Sequence, residues 1–237
     1  MKIKVLHLID GAREAEGLTV IIDVFRAFSV ACYAVENGAA RIIPVGGLQL
    51  AYRLKADNPE YILLGERGGK IQPGFDYGNS PSQILGLDFS EKTVVQTTGA
   101  GTQGFANATR ADLLVSGSFV NAEAVVSFIR QKAPAQVSLV CMGTRGVEPN
   151  PEDTLCGEYI RDRLSGRPVD RRRVIRQLKQ AVTARKFLDP SRPWFPRADL
   201  ELCIDIDRFG FVLVAEPFQE GLLALRPQAM AVGSSAD

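Results

Sequence analysis

Histidine is almost missing from this chain of 237 residues, which has one, His7. Zinc or other transition-metal chemistry built on imidazole is therefore nearly excluded. A Ser-His-Asp triad and a histidine phosphatase are excluded with it, and His7 itself reads as a strand or surface residue. Cysteine is scarce and scattered. Cys32, Cys141, Cys156 and Cys203 contain no C-x-x-C pair, so neither a zinc knuckle nor a disulfide framework is suggested. Charge of one sign is not in excess, since 28 basic residues face 27 acidic ones, leaving no general attraction to nucleic acid or anionic membrane. No apolar run reaches membrane-spanning length, and MKIKVLHL is too short for a signal peptide. These absences lead to the expectation of a reduced, cytoplasmic, soluble protein without nucleic-acid or membrane partners; a homo-oligomer is left open.

What is present is an ordinary globular composition, 46% hydrophobic and 23% charged. LTVIIDV (18–24) is rich in β-branched residues and reads as a strand. Phe25, Phe28, Cys32 and Val35 then fall at helical spacing before a terminating Gly38. RIIPV (41–45), YILL (61–64), TVVQT (93–97), DLLVS (112–116) and VSLVC (137–141) read as further strands. Helices are expected at LQLAYRLK (48–55) and NAEAVVSFIRQ (121–131). Alternation of this kind predicts an α/β fold, a layered parallel or mixed sheet flanked by helices. From Pro151 the texture turns helical, then gives a late strand, FVLVAEP (211–217). The expected organisation is a single α/β domain over 1–227 with a flexible tail over 228–237.

Ligands of open α/β sheets bind beyond the carboxyl ends of the strands. Here five strand ends lead into chemistry-bearing residues: Asp23 with Arg26, Gly65-Glu66-Arg67, TGAGTQG, Gly117-Ser118, and the turn Met142 to Gly146. Arginines pair bidentately with anionic oxygens. Hydroxyls and glycine-freed amides also suit phosphate, and Asp23, Glu66, Asp76 and Asp153 are oxygen ligands of the kind Mg²⁺ prefers.

The stretch GERGGKIQPGFDYGNSP (65–81), with five glycines and two prolines, is neither helix nor central strand. Several other signatures fail. GAGTQG (99–104) matches G-x-G-x-x-G, but only FANATRA precedes the next strand, too little for the usual helix. No P-loop occurs, and Cys141 and Arg145 are too close for a cysteine phosphatase. Asp205-Ile206-Asp207 reads as a solvated turn, and RRRVIRQLKQ (171–180) as a solvated helix face. NPEDTLC (150–156) makes a good helix start, with Asn150 as cap and acids in the first turn. Asp23 has an equally plain structural reading as a cap on the helix from Phe25, and Glu66 with Arg67 as a surface ion pair.

VIIDVFRAFSVACYAVENGA, GERGGKIQPGFDYGNSP, GSFVNAEAV, CMGTRG and EDTLC stand in the order and approximate spacing of the 2-phosphosulfolactate phosphatase family, which the chain resembles from about Thr19 to Gly157. The resemblance implies a layered α/β fold and a Mg²⁺-dependent phosphatase converting 2-phosphosulfolactate and water to sulfolactate and phosphate, a step of coenzyme M biosynthesis. Carried over by position, it implies roles for Asp23, Arg26, Glu66, Arg67, Asp76, Asn79, Ser80, Ser118, Asn121, Thr144, Arg145, Glu152, Asp153 and Thr154. Where the family typically reads T-T-x-N-G-T-R, this chain has Thr97-Thr98-Gly99-Ala100-Gly101-Thr102-Gln103.

The expected catalytic set is therefore Asp23, Arg26, Glu66 and Arg67. Expected metal ligands are Asp23, Glu66, Asp76 and Asp153. Asn79, Ser80, Thr98, Thr102, Ser118, Asn121, Thr144, Arg145 and Thr154 are expected to bind substrate. Asp23 is left open between metal ligand, general base and nucleophile. The alternatives are a phosphatase for another small phosphorylated acid and a non-catalytic anion-binding homologue.

Overall fold

The computed structural model describes residues 1–219 and 221–230. The first half contains β1 (Lys2–His7), α1 (Leu8–Glu14), β2 (Gly17–Ile22), α2 (Ala27–Glu36), β3 (Arg41–Pro44), α3 (Leu48–Asp57), β4 (Ile62–Gly65), α4 (Pro81–Ile84) and β5 (Thr93–Thr97). After these come α5 (Gly101–Asn107), β6 (Ala111–Gly117), α6 (Ala122–Lys132), β7 (Gln136–Cys141), α7 (Pro151–Leu164), α8 (Arg171–Gln180) and α9 (Arg197–Cys203). The described chain closes with β8 (Phe211–Gln219) and β9 (Leu222–Ala229). Short 3₁₀ segments lie at Phe119–Asn121 and Val182–Leu188.

Every expected strand and helix forms within a few residues of its expected bounds. β1, α1 and β9 were not expected, because β1 and α1 lie in a short mixed run and β9 carries Arg226 and Pro227. Residues 228 and 229, assigned from sequence to a tail, belong to β9 and pair with Val212 and Phe211. Residues 231–237 lie outside the described residues. The motif GAGTQG does open a helix, α5, seven residues long and beginning inside the motif at Gly101, contrary to the sequence expectation.

The described strands form one mixed sheet of nine, in the order β1-β7-β2-β6-β8-β9-β3-β5-β4. β1, β7, β2 and β6 are mutually parallel, and so are β3, β5 and β4. The antiparallel hairpin β8–β9 joins the two sets, through Val115 to Val214 on one side and Ile42 to Leu225 on the other. Three antiparallel steps make the two parallel sets formally opposed. Their carboxyl ends would point apart in a flat sheet.

The core shows why they do not. α2 is buried from Ala27 through Ala34, as expected of a helix enclosed on all sides rather than laid on a surface. Phe28, Val30 and Tyr33 of α2 share one cluster with Ile21 and Val140 of the first set and with Ile42, Leu64 and Val94 of the second. The sheet therefore coils around α2, in the sense that strand twist favours. Alternate residues of β2 and β7 face outward onto α6, α7 and α8, and those of β3, β4 and β5 onto α3. Coiling brings the carboxyl ends of both sets to the N-terminus of α2. No helix among the described residues is long and apolar enough to cross a membrane.

Candidate active site

A cavity of about 250 Å³ opens where those ends meet. It is lined by Asp23 and Arg26 before α2, Glu66, Gly68 and Gly69 after β4, Asn79 ahead of α4, and Thr98 to Ala100 after β5. Gly143 to Arg145 after β7 and Asn150 ahead of α7 complete that side, and Lys186, Arg192 and Phe195 close the other.

Asp23 directly follows β2 and is buried. Its Oδ1 accepts the Ala27 N–H at 3.1 Å, so it does cap α2, and its Oδ2 accepts the Gly101 N–H at 2.8 Å across the two parallel sets. Burial, followed by the charge of Glu66, pushes its pKa up to about 6 against these hydrogen bonds. Gly101 is required here. A Cβ would stand 2.9 Å from Asp23 Oδ2 and 2.8 Å from the Ala27 methyl.

Glu66 bridges the glycine-rich loop and the β5 turn, its Oε2 accepting the Gly69 N–H at 2.5 Å and its Oε1 the Gly99 N–H at 2.9 Å. A Cβ on Gly69, whose φ is +87°, would collide with the Phe195 ring, so the loop lies directly against the 194–195 segment. Arg145 approaches the same side of Gly99 as Glu66, its Cγ 4.0 Å from where a Gly99 Cβ would stand, and is exposed with φ +56°. Asp153 lies behind the wall, fully buried, with Oδ1 accepting from Val24 N–H and Oδ2 from Gly143 N–H and Asn150 Nδ2. Burial and then the Asp23 charge raise its pKa, opposed by these donors.

Not every expected residue reaches the cavity. Arg67 turns beneath its loop and donates to the Glu66 and Gly46 carbonyls and to Thr97 Oγ1. Asp76 is exposed and pairs with Lys55 at 3.2 Å while accepting the Leu63 N–H, so it holds the start of β4 and is away from Glu66. Ser80 donates to Asp199 at 2.9 Å. Ser118 and Asn121 form a capping box, with Ser118 also bonded to Ser29 at 2.7 Å. Thr102 closes a turn onto Thr98, and Thr154 donates to the Asn150 carbonyl within α7. These are fold-building contacts, and sequence spacing does not distinguish them from ligand contacts.

Arg26 lines the cavity, but its guanidinium is already engaged. Nη1 pairs with Asp199 at 2.5 Å and donates to the Trp194 carbonyl at 3.1 Å, and the Phe195 ring stacks at 4.7 Å. Asp199 and Lys186 were missed from sequence. The available signal was the run ARKFLDPSRPWFPRAD, where basic residues interleave with aromatics and prolines. Glu152, buried ahead of Lys186, accepts from Thr183 through Oε2, and its Oε1 has no partner among the described residues.

The class these features define is a mixed α/β protein with one small cavity pairing carboxylates with cations, the composition expected where an anionic ester is held and hydrolysed. The sequence profile of the 2-phosphosulpholactate phosphatase family matches residues 4–217, and the chain belongs to that family. A probable 2-phosphosulfolactate phosphatase of Bacillus subtilis is 31% identical over 189 residues, 78% of this chain and 81% of that one. One of Thermoplasma acidophilum is 28% identical over 215 residues, 91% and 92% of the two chains. One of Thermotoga petrophila is 39% identical over 142 residues, 60% of each chain.

Proposed function

We propose that this protein hydrolyses 2-phosphosulfolactate to sulfolactate and inorganic phosphate, with Mg²⁺ as its metal, in a reducing cytoplasmic setting. The observation that carries the reading is the meeting of Asp23, Glu66 and Arg145 in one cavity although they lie far apart in sequence. Mg²⁺ fits the residues present. Asp23 and Glu66 share the wall and repel each other, a repulsion that a hard divalent cation relieves. Among the described residues no three His, Cys, Asp or Glu side chains form a ready cage. Mg²⁺ takes one or two carboxylates and completes its shell with water and phosphate oxygens.

When bound, Mg²⁺ supplies Lewis acidity that polarises phosphoryl oxygens and acidifies water. Asp23, anionic above about pH 6 without the metal, would hold the cation together with Glu66 and so set where the attacking water lies. The water oxygen bonds to phosphorus as the ester P–O bond breaks, and the departing alkoxide of sulfolactate takes up a proton. Arg145 balances charge on the substrate oxygens. Glu66 holds the Gly69 and Gly99 amides in place through its two carboxylate oxygens.

A second reading, another small phosphorylated acid as substrate, is favoured by two departures. Ala100 puts a methyl group on the cavity wall, and Gln103 Nε2 is bonded to the Gly46 carbonyl at 2.5 Å. Phosphate release from a panel of phosphomonoesters with Mg²⁺ separates the two. The Glu66→Ala variant is expected to lose turnover by about a hundredfold or more, since two loop amides lose their anchor and the metal one ligand. Full Mg²⁺-dependent turnover by that variant would refute the reading of the glycine-rich loop.

A further inference from the structure

Lys186 sits on the cavity wall at the end of the Val182–Leu188 segment, outside every motif that carries the family resemblance. Its ammonium is caged by three aromatic rings, Phe195 at 5.1 Å, Phe187 at 5.3 Å and Phe25 at 5.9 Å. Rings attract a cation but accept no conventional hydrogen bond. Among the described residues Lys186 has neither a salt-bridge partner nor a hydrogen-bond acceptor, so the donors of this cavity-lining ammonium are left unanswered.

The other cations of the wall are differently placed. Arg26 is paired with Asp199, and Arg192 with Asp189 at 3.2 Å. Arg145 has no ion-pair partner among the described residues but is exposed, near Glu66. Lys186 lies within electrostatic reach of the Glu152, Asp23 and Asp153 carboxylates, and of the Arg26 guanidinium as well. Lys186 is half-buried among these rings, and an ion contact strengthens as water is removed.

We propose that Lys186 contacts the phosphoryl group itself, donating to its non-bridging oxygens from the Asp23 side, the position that residue type assigned to Arg26. The proposal rests on the phosphatase reading above and adds the residue that fixes where the phosphoryl group lies.

The chain has one tryptophan, Trp194, which lies against Gly69 of the glycine-rich loop at the cavity, so its fluorescence serves as a binding signal. Inorganic phosphate is titrated in the presence of Mg²⁺, and Mg²⁺ alone in a parallel series. Lys186→Met and Lys186→Gln are expected to weaken phosphate binding by about tenfold or more, the loss of one charge-assisted contact. KM for the phosphomonoester rises with it, Mg²⁺ binding without phosphate is undiminished, and Lys186→Arg recovers most of the phosphate affinity. Wild-type phosphate affinity in both neutral variants overturns the proposal and leaves the phosphatase reading standing. Equal weakening of Mg²⁺ and phosphate binding, or failure of both neutral variants to fold while Lys186→Arg binds no phosphate, overturns it in favour of a structural role. If the wild-type protein neither binds phosphate nor turns over any ester, both readings fall together.

Discussion

Arg26, 2% exposed, and Asp199, fully buried, form an ion pair with further partners on each side. Asp199 also accepts from Ser80 Oγ at 2.9 Å and from the N–H and hydroxyl of Ser82 at 3.0 and 2.6 Å. One buried pair thus ties the start of α2 to α4, α9 and the 194–195 segment. Removing one member strands the other, so Asp199→Ala is expected to lose about 3–5 kcal/mol in urea denaturation, largely as the penalty of an uncompensated buried guanidinium. Asp23 gives a residue-scale prediction of opposite character. Its folded pKa of about 6 lies above the ordinary aspartate value of 3.8, so in the metal-free protein its contribution to stability is present below 3.8 and is lost as pH rises through 6. On the proposed reading Mg²⁺ would compete with that same proton. The rise in Tm caused by Mg²⁺ is therefore expected to be full near about pH 8 and to fade below about pH 6, as thermal melts with and without the metal would measure. A Tm rise unchanged at the acid end would remove Asp23 from the metal site.

At the scale of elements, the N-termini of α2 and α5 are held together through one side chain, Asp23, with Gly101 giving the close approach. Gly101→Ala is expected to displace the carboxylate and lower Mg²⁺-dependent phosphate release at least about tenfold, because reacting groups must be held within a fraction of an ångström. Phosphate release and far-ultraviolet dichroism together check this, the dichroism showing that α5 survives. α7 was legible from NPEDTLC: Asn150 caps it, accepting the Asp153 N–H at 2.9 Å. The same helix start also aims Asp153 at the Val24 and Gly143 amides behind the cavity, so the cap reading and the site reading describe one arrangement. By contrast, apart from the basic–aromatic run that begins at Ala184, the local sequence does not mark Val182–Leu188 as a cavity wall. Its position depends on Ala184 and Phe187 packing into the cluster under α7 and α8.

At the scale of the molecule, the β8–β9 hairpin couples the two parallel sets. Leu225 is fully buried beside Ile42 and packs in the cluster around α2. Leu225→Ala is expected to cost about 2–5 kcal/mol by denaturant titration. Weaker phosphate binding should accompany it, because the junction sets how the carboxyl ends approach each other. A stability loss with unaltered binding would show that the rest of the coiled sheet holds the cavity without it.

Local pattern and residue type were sufficient for most of the strands and helices but not for β1, α1, α5 and β9, and they were sufficient for the α/β class and the segments bearing the carboxylates and Arg145, because periodicity and loop chemistry are written within a dozen residues. They were insufficient for the direction in which each polar side chain turns. Arg67 and Asp76 lie in the same loop as Glu66, yet they bond to Thr97 and Lys55, away from the cavity. Only the closed structure decides this, since a buried polar group must find whichever partner the packing brings near. Lys186 and Asp199 enter the site the same way, through the coiling of the sheet about α2, which brings together residues that no local spacing connects.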